Sequence, residues 1–302
     1  MSSSWLIKIQ NVSSMNSLKF IRWVIRKVPR WFVDFFVGGL FSVAYWGLKD
    51  LKAICQKNLR SIYGNSRTPD EYKIMTKQCI MNVGQCMMDL LYYVERPDAL
   101  SRVVSVDNEE RLKDALKAGR GAIVISAHLS NFPLMFISLV QRGYKVNVII
   151  RPMRNKKFSK FMYQLCALWN INMIQLVPRR KFIKESLSVL KHNELLFIML
   201  DEVVPEESGV VVDFFNRKVE RAVGPVLFHE RTGSPILSVF IVQDENMNFK
   251  IFVEEKLNIE KNFSPENNDK INITNLTLII ERFVRLYPTQ WGGWLNRRWA
   301  VN

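Results

Sequence analysis

From residue 68 onward the apolar positions follow two rhythms that alternate along the chain. Thr68-Pro69-Asp70-Glu71 is a helix start signal with acids in the first turn. Ile74, Met75, Ile80, Val83, Met87, Leu90 and Leu91 then recur at helical spacing, which predicts a helix over 68–94. A shorter amphipathic helix over 107–118 is closed by Gly119. Beyond it, short apolar runs predict strands at 122–127, 146–150, 173–177, 195–200, 210–215, 236–242 and 249–254. Helical patterns fall between most of them, near 132–141, 157–169, 182–190 and 220–232, with a last helix over 273–286. Continuous apolar strands alternating with helices predict an α/β fold: a largely parallel, roughly seven-stranded sheet covered by helices. No internal repeat is present, and the polar run 262–272 reads as a surface loop.

Composition changes the picture at the N-terminus. The 302-residue chain carries 43 Lys+Arg against 28 Asp+Glu, a formal net charge of +15, with 48% hydrophobic residues. It is too apolar for a disordered basic tail, and it lacks the series of long apolar runs of a multi-span transporter. Ten of the cations and two acids, Asp34 and Asp50, lie in the first 60 residues. Between these cations runs WFVDFFVGGLFSVAYWGL (31–48), with Trp23, Trp31, Tyr45 and Trp46 at its ends. An apolar run bracketed by aromatics and cations predicts a membrane-associated helix on anionic lipid, with a buried core helix as the other reading. The run starts too late for a cleavable signal peptide. Residues 1–60 are thus expected to form a basic membrane-associating region, and 61–302 an α/β domain. A nucleic-acid partner fits poorly, because the early charge brackets an apolar segment instead of interleaving with aromatics on one face.

The four cysteines, Cys55, Cys79, Cys86 and Cys166, have neither zinc nor disulfide-framework spacing, and free thiols point to a reducing, cytosol-facing location. The three histidines, His128, His192 and His229, are far apart, so no metal site is expected. Ligands of open α/β sheets bind beyond the carboxyl ends of the strands. AIVISA runs into His128, VNVII into Arg151, and LLFIML into Asp201 and Glu202. Ser130 or Asn131 is placed to cap the next helix, with Pro133 in its first turn. His128 then stands by free amides suited to a developing oxyanion. Nucleophile-elbow, P-loop, dinucleotide and zincin motifs are absent from the sequence.

SAHLSNFPLM (126–135), VIIRPMRN (148–155), LLFIMLDE (195–202), the 209–241 block and YPTQWGGWLNRRWA (287–300) occur in the order found in bacterial lipid A biosynthesis acyltransferases. The chain resembles that lauroyl/myristoyl transferase family, within the lysophospholipid acyltransferase superfamily, over roughly 20–300. The resemblance implies a glycerolphosphate-acyltransferase-like fold at the cytoplasmic face of the inner membrane. It implies transfer of a fatty acyl group from acyl carrier protein or coenzyme A to a hydroxyl of a glycolipid such as a lipid A precursor, with no cofactor. It makes His128 the general base, in a His-x4-Asp/Glu motif whose acid position is Pro133 here. No Asp or Glu occurs from 115 to 184. Cys166 stands where relatives often carry arginine, and Asn296-Arg297-Arg298-Trp299-Ala300 replaces a closing His-Arg-Arg-Trp-Lys.

Two readings follow from the missing acid. In one, Asp201 or Glu202 reaches His128 across the sheet edge and the protein is an active acyltransferase. In the other, the site is degraded and the protein binds glycolipid without catalysis. In the active reading His128 deprotonates the acceptor hydroxyl, and the amides after it, with Asn131, stabilise the oxyanion. Arg151, Arg154, Arg297 and Arg298 bind phosphate, or are solvated or lipid-facing surface charge. Met135, Met153 and Met162 are packing residues or line an acyl groove, and Trp291, Trp294 and Trp299 are packing or interfacial anchors.

Overall fold

The structure is a computed structural model that describes residues 45–152, 156–202, 204 and 209–296, together with Lys27, Pro29, Arg30, Phe32, Phe35 and Gly39. Most of the expected 31–48 helix, and Met153, Arg154 and 297–302, lie outside the described residues.

The chain begins with helices α1 (Lys49–Tyr63), α2 (Pro69–Tyr93) and α3 (Pro97–Val103), followed by β1 (Val104–Asp107) and α4 (Glu109–Leu116). Strand–helix alternation then sets in: β2 (Ala122–Ser126), α5 (Phe132–Gln141), β3 (Val146–Ile150), α6 (Lys156–Leu168), β4 (Asn172–Gln175), α7 (Arg179–Lys191) and β5 (Leu195–Met199). A ribbon, β6 (Val210–Phe214) and β7 (Arg217–Arg221), leads to α8 (Gly224–Thr232), β8 (Ile236–Gln243), β9 (Phe249–Val253) and α9 (Pro265–Leu286).

Seven strands form one sheet in the order β1-β9-β8-β2-β5-β3-β4. Its pairings are parallel except β8 with β9, so the expected α/β fold with a mostly parallel sheet is what the chain forms. One member differs. The 210–215 strand pairs antiparallel with β7 outside the main sheet, and β1, absent from the sequence reading, takes an edge place beside β9. β7 has no apolar rhythm because Arg217-Lys218-Val219-Glu220-Arg221 is mostly charged, and the helix expected near 220–232 starts only at Gly224.

The central strands alternate between two cores. Ile123 and Ile125 of β2 and Leu196 and Ile198 of β5 face a core shared with α1, α7, α8 and α9. Ala122, Val124, Leu195 and Phe197 face the other, shared with α3, α5 and α6. Every residue of β2 is buried, so covering both faces stabilises this strand by roughly 1.5–3 kcal/mol per large aliphatic side chain.

Two starts follow their local signals. Thr68 and Glu71 form a reciprocal capping box on α2, Thr68 Oγ1 accepting from the Glu71 amide (3.2 Å) and Glu71 Oε2 from the Thr68 amide (2.6 Å). α9 begins at Pro265, eight residues before the expected 273, because Ser264-Pro265-Glu266 is a start signal inside the polar 262–272 run.

Candidate active site

β2, β5 and β3 are neighbours and run parallel, so their carboxyl ends bring His128, Asp201-Glu202 and Arg151 to one edge. The chain turns sharply after β2. The Leu129 amide donates to the Ala127 carbonyl (2.7 Å), and Ser130 sits at φ 47°, in the left-handed region. α5 then starts at Phe132 with Pro133 in its first turn, where no amide hydrogen is needed.

His128 and Asp201 are joined twice. Nδ1 of His128 lies 2.9 Å from Oδ1 of Asp201, and the His128 amide donates to Oδ2 at 3.0 Å. The Trp291 indole Nε1–H donates to the same Oδ2 at 2.8 Å. Asp201 is buried, whereas a third of the His128 side chain is exposed. The ring packs edge-on against Phe132, with centroids 5.0 Å apart. Its free corner, Nε2, stands 4.0 Å from Oε1 of Glu202, whose other oxygen meets Nε of Arg151 at 3.2 Å.

Charge follows from this geometry. Burial alone would lower the His128 pKa, but the Asp201 carboxylate and its hydrogen bond, with Glu202 behind them, outweigh it and raise the value above 6.5. Burial pushes Asp201 the other way, upward, yet His128 and the Trp291 and backbone donors hold its carboxyl below the ordinary value. A carboxylate with three donors on it stays ionised and fixes the imidazole with Nε2 outward, the arrangement a general base needs.

The C-terminal segment braces this turn from outside. The Ser130 amide donates to the Gln290 carbonyl (2.7 Å), the Gly292 amide to the His128 carbonyl (2.8 Å), and Leu129 bridges to Trp291. A β-carbon at Gly292 would stand 3.3 Å from the His128 carbonyl oxygen, so a small residue belongs there. Trp291, expected as an anchor, is thus also the hydrogen-bond donor of the buried carboxylate. Arg221, at the end of β7, was missed altogether. It is fully buried, its guanidinium 4.6 Å from the Phe214 ring centroid. Burial pulls its pKa down to about 10, and the Asp201 carboxylate opposes that fall. A charged residue in RKVERAVGP gave no apolar rhythm to betray a buried position.

The expected oxyanion donors, Asn131 and amides after His128, are placed as follows. Asn131 is buried, and its side-chain nitrogen donates to the Cys86 carbonyl on α2 (2.7 Å). It is the residue before α5, yet its side chain makes no capping bond. The amides of His128, Leu129 and Ser130 are likewise committed to protein acceptors. Arg151 joins the cluster, while Arg154, Arg297 and Arg298 lie outside the described residues. Met135 is core, Met162 lines the site, and Met153 and Trp299 are outside the described residues. His192 and His229 are elsewhere, bonded to the Ser188 and Ser234 carbonyls. Among the described residues no three His, Cys, Asp or Glu side chains gather as metal ligands would.

Two apolar cavities meet at His128. One, about 390 Å³, lies against α2 and the C-terminal segment, with Val83, Met87, Leu90 and Leu295 in its wall. The other, about 580 Å³, runs between α5, α6 and the strands β3 and β5. His128, Phe132, Pro133, Met162 and Glu202 belong to both walls. The arrangement offers one exposed basic nitrogen between two greasy compartments.

A family model described as bacterial lipid A biosynthesis acyltransferase matches residues 15–300. The chain belongs to this family. The reaction class that this membership indicates is acyl transfer to a glycolipid. A comparison with curated proteins finds no match. Pro133 stands in the first turn of α5, and Asp201, just past the end of β5, makes the carboxylate–histidine contact.

Proposed function

We propose that the protein is an active, membrane-associated O-acyltransferase in which His128 is the general base and Asp201 its orienting carboxylate. The observation that carries this reading is the 2.9 Å contact between Nδ1 of His128 and Oδ1 of Asp201. Nε2 takes the proton of an acceptor hydroxyl. The resulting alkoxide attacks the carbonyl carbon of an acyl thioester, and a tetrahedral oxyanion forms. It collapses with loss of the thiolate, to which the imidazolium returns the proton. Asp201 stabilises that imidazolium. Arg151 holds a phosphate of the glycolipid headgroup or of the donor's pantetheine arm, with Arg154, Arg297 and Arg298 in the same service. Glu202 keeps Arg151 in place.

The donor is acyl carrier protein or coenzyme A, and the acceptor a glycolipid such as a lipid A precursor. The fatty chain lies in the 580 Å³ cavity, and the acceptor reaches Nε2 from the smaller one. No cofactor takes part. The site is at the cytoplasmic face of the inner membrane. Among the described residues no helix is long and apolar enough to cross a membrane. Phe35 and Trp46 are nonetheless 76% and 78% exposed, which supports contact of the N-terminal region with lipid.

The test is acyl transfer by purified protein, given an acyl carrier thioester or acyl-CoA and a lipid A precursor. Mass spectrometry should show the acceptor one acyl group heavier with the wild type. The gain should disappear with His128→Ala, the protein remaining folded. An unchanged acceptor with wild-type protein, bound but not modified, favours a non-catalytic glycolipid-binding protein instead.

A further inference from the structure

The larger cavity has a mouth and a floor, and three elements give the same order of depth. On β3, Arg151 stands at the strand exit and Val148 three residues back, roughly 10 Å deeper. Val148 is in register with Met173 on β4 and Phe197 on β5. On α5, Phe132 touches His128, and Phe136-Ile137 follow one turn further in. On α6, Met162 shares with His128 the walls of both cavities, and Leu165-Cys166, about one turn later, line only the larger one. The Ile171 amide folds back on the Cys166 carbonyl at 2.9 Å, closing that end of the helix. Leu165, Cys166, Ile171, Met173 and Val148 therefore meet at the floor, with His128 and Glu202 at the mouth.

Cys166 differs from its floor neighbours in one respect: its side chain is the smallest. It is a free thiol, 9% exposed, and burial pushes its pKa up to about 11. A neutral thiol behaves as a small apolar group, so it neither charges the wall nor fills the space beyond itself. Interiors are close-packed, and extra side-chain volume at such a place displaces whatever occupies the cavity.

We propose that Cys166 is a specificity-determining residue: its small side chain sets the depth of the acyl cavity, and hence the longest fatty chain that reaches His128. The inference rests on the reading of this cavity as the acyl site. Discrimination at such a floor is steep, because one methylene too many in a fitted apolar pocket costs on the order of tenfold or more.

Two measurements test it. The first compares wild-type, Cys166→Ala and Cys166→Phe proteins across a series of acyl thioesters of increasing length. Cys166→Phe should lower kcat/KM for the longest accepted chain by about 100-fold or more, with chains about four carbons shorter held within about threefold. Cys166→Ala should keep the wild-type ceiling or lengthen it. An unchanged length profile in folded Cys166→Phe overturns the proposal. The second uses wild-type protein and needs no turnover. Labelling of Cys166 by an alkyl methanethiosulfonate is followed by mass spectrometry of its peptide. A non-hydrolysable long-chain acyl thioether of coenzyme A should slow it about tenfold or more, and a short-chain analogue should not. Equal labelling with and without the long analogue overturns the proposal. Length-dependent protection in a protein that transfers nothing would leave the cavity assignment standing and defeat the catalytic reading. Transfer without protection would do the reverse.

Discussion

At the scale of single side chains, Asp201 supplies the carboxylate that meets His128. Pro133 stands where the resemblance implied a carboxylate, and no acid occurs from 115 to 184. Asp201 follows β5, the sheet neighbour of β2, and it reaches both Nδ1 and the amide of His128. Sequence reasoning narrowed the partner to Asp201 or Glu202, because both follow a strand end. The geometry separates their places: Asp201 is buried behind the ring, and Glu202 stands beside Arg151 in front of it. Trp291 was beyond sequence reasoning in this role, since an indole donor to a buried carboxylate has no periodic signature. Trp291→Phe removes that donor and leaves a buried lone pair unsatisfied, at a cost of about 1–3 kcal/mol. Chemical denaturation should register this loss, and the rate of acyl transfer should fall with it. A variant as stable and as fast as the wild type would remove Trp291 from the account.

At the scale of elements, most of the sheet was legible because strands buried on both faces are continuous apolar runs. α5 and β3 keep the boundaries their patterns predicted, 132–141 and 146–150. What was missed had physical reasons. β1 is a four-residue edge strand, VSVD, too short for a rhythm. β7 carries four charges in five residues because one face of the ribbon is exposed, while Arg221 is buried against Phe214 and near Asp201. The entry to β2 also depends on one backbone position. Gly121 has φ +65°, and a β-carbon there would lie 2.7 Å from the Glu194 carbonyl oxygen and 2.8 Å from that of Leu190. Gly121→Ala combines a left-handed strain with a backbone clash at the strand that carries His128. Its thermal midpoint should fall by several degrees relative to wild type. An unshifted midpoint would show that the β2 entry tolerates a side chain.

For the whole molecule, the +15 charge has an uneven distribution that bears on the proposed attachment to lipid. The first 60 residues hold ten cations, and each Lys or Arg near an anionic bilayer contributes about 1 kcal/mol of attraction. Arg30 links this region to the domain through a 2.6 Å contact with Oδ1 of buried Asp89 on α2, the helix that lines the smaller cavity. The protein should float with vesicles containing anionic phospholipid and lose much of that binding as salt is raised. Equal flotation with neutral vesicles would contradict a charge-driven attachment. The central claim, however, is the pairing of His128 with Asp201. It is tested most directly by the pH dependence of kcat/KM for acyl transfer in wild-type and Asp201→Asn proteins. A general base must be neutral, so the rate should rise with pH. The wild-type midpoint should lie above 6.5, because the carboxylates raise the His128 pKa. Asp201→Asn should lower the plateau by about 10⁴-fold. It should also move the midpoint downward, since burial, which favours the neutral ring, then loses its main opponent. An Asp201→Asn protein with the wild-type plateau and midpoint would contradict the account.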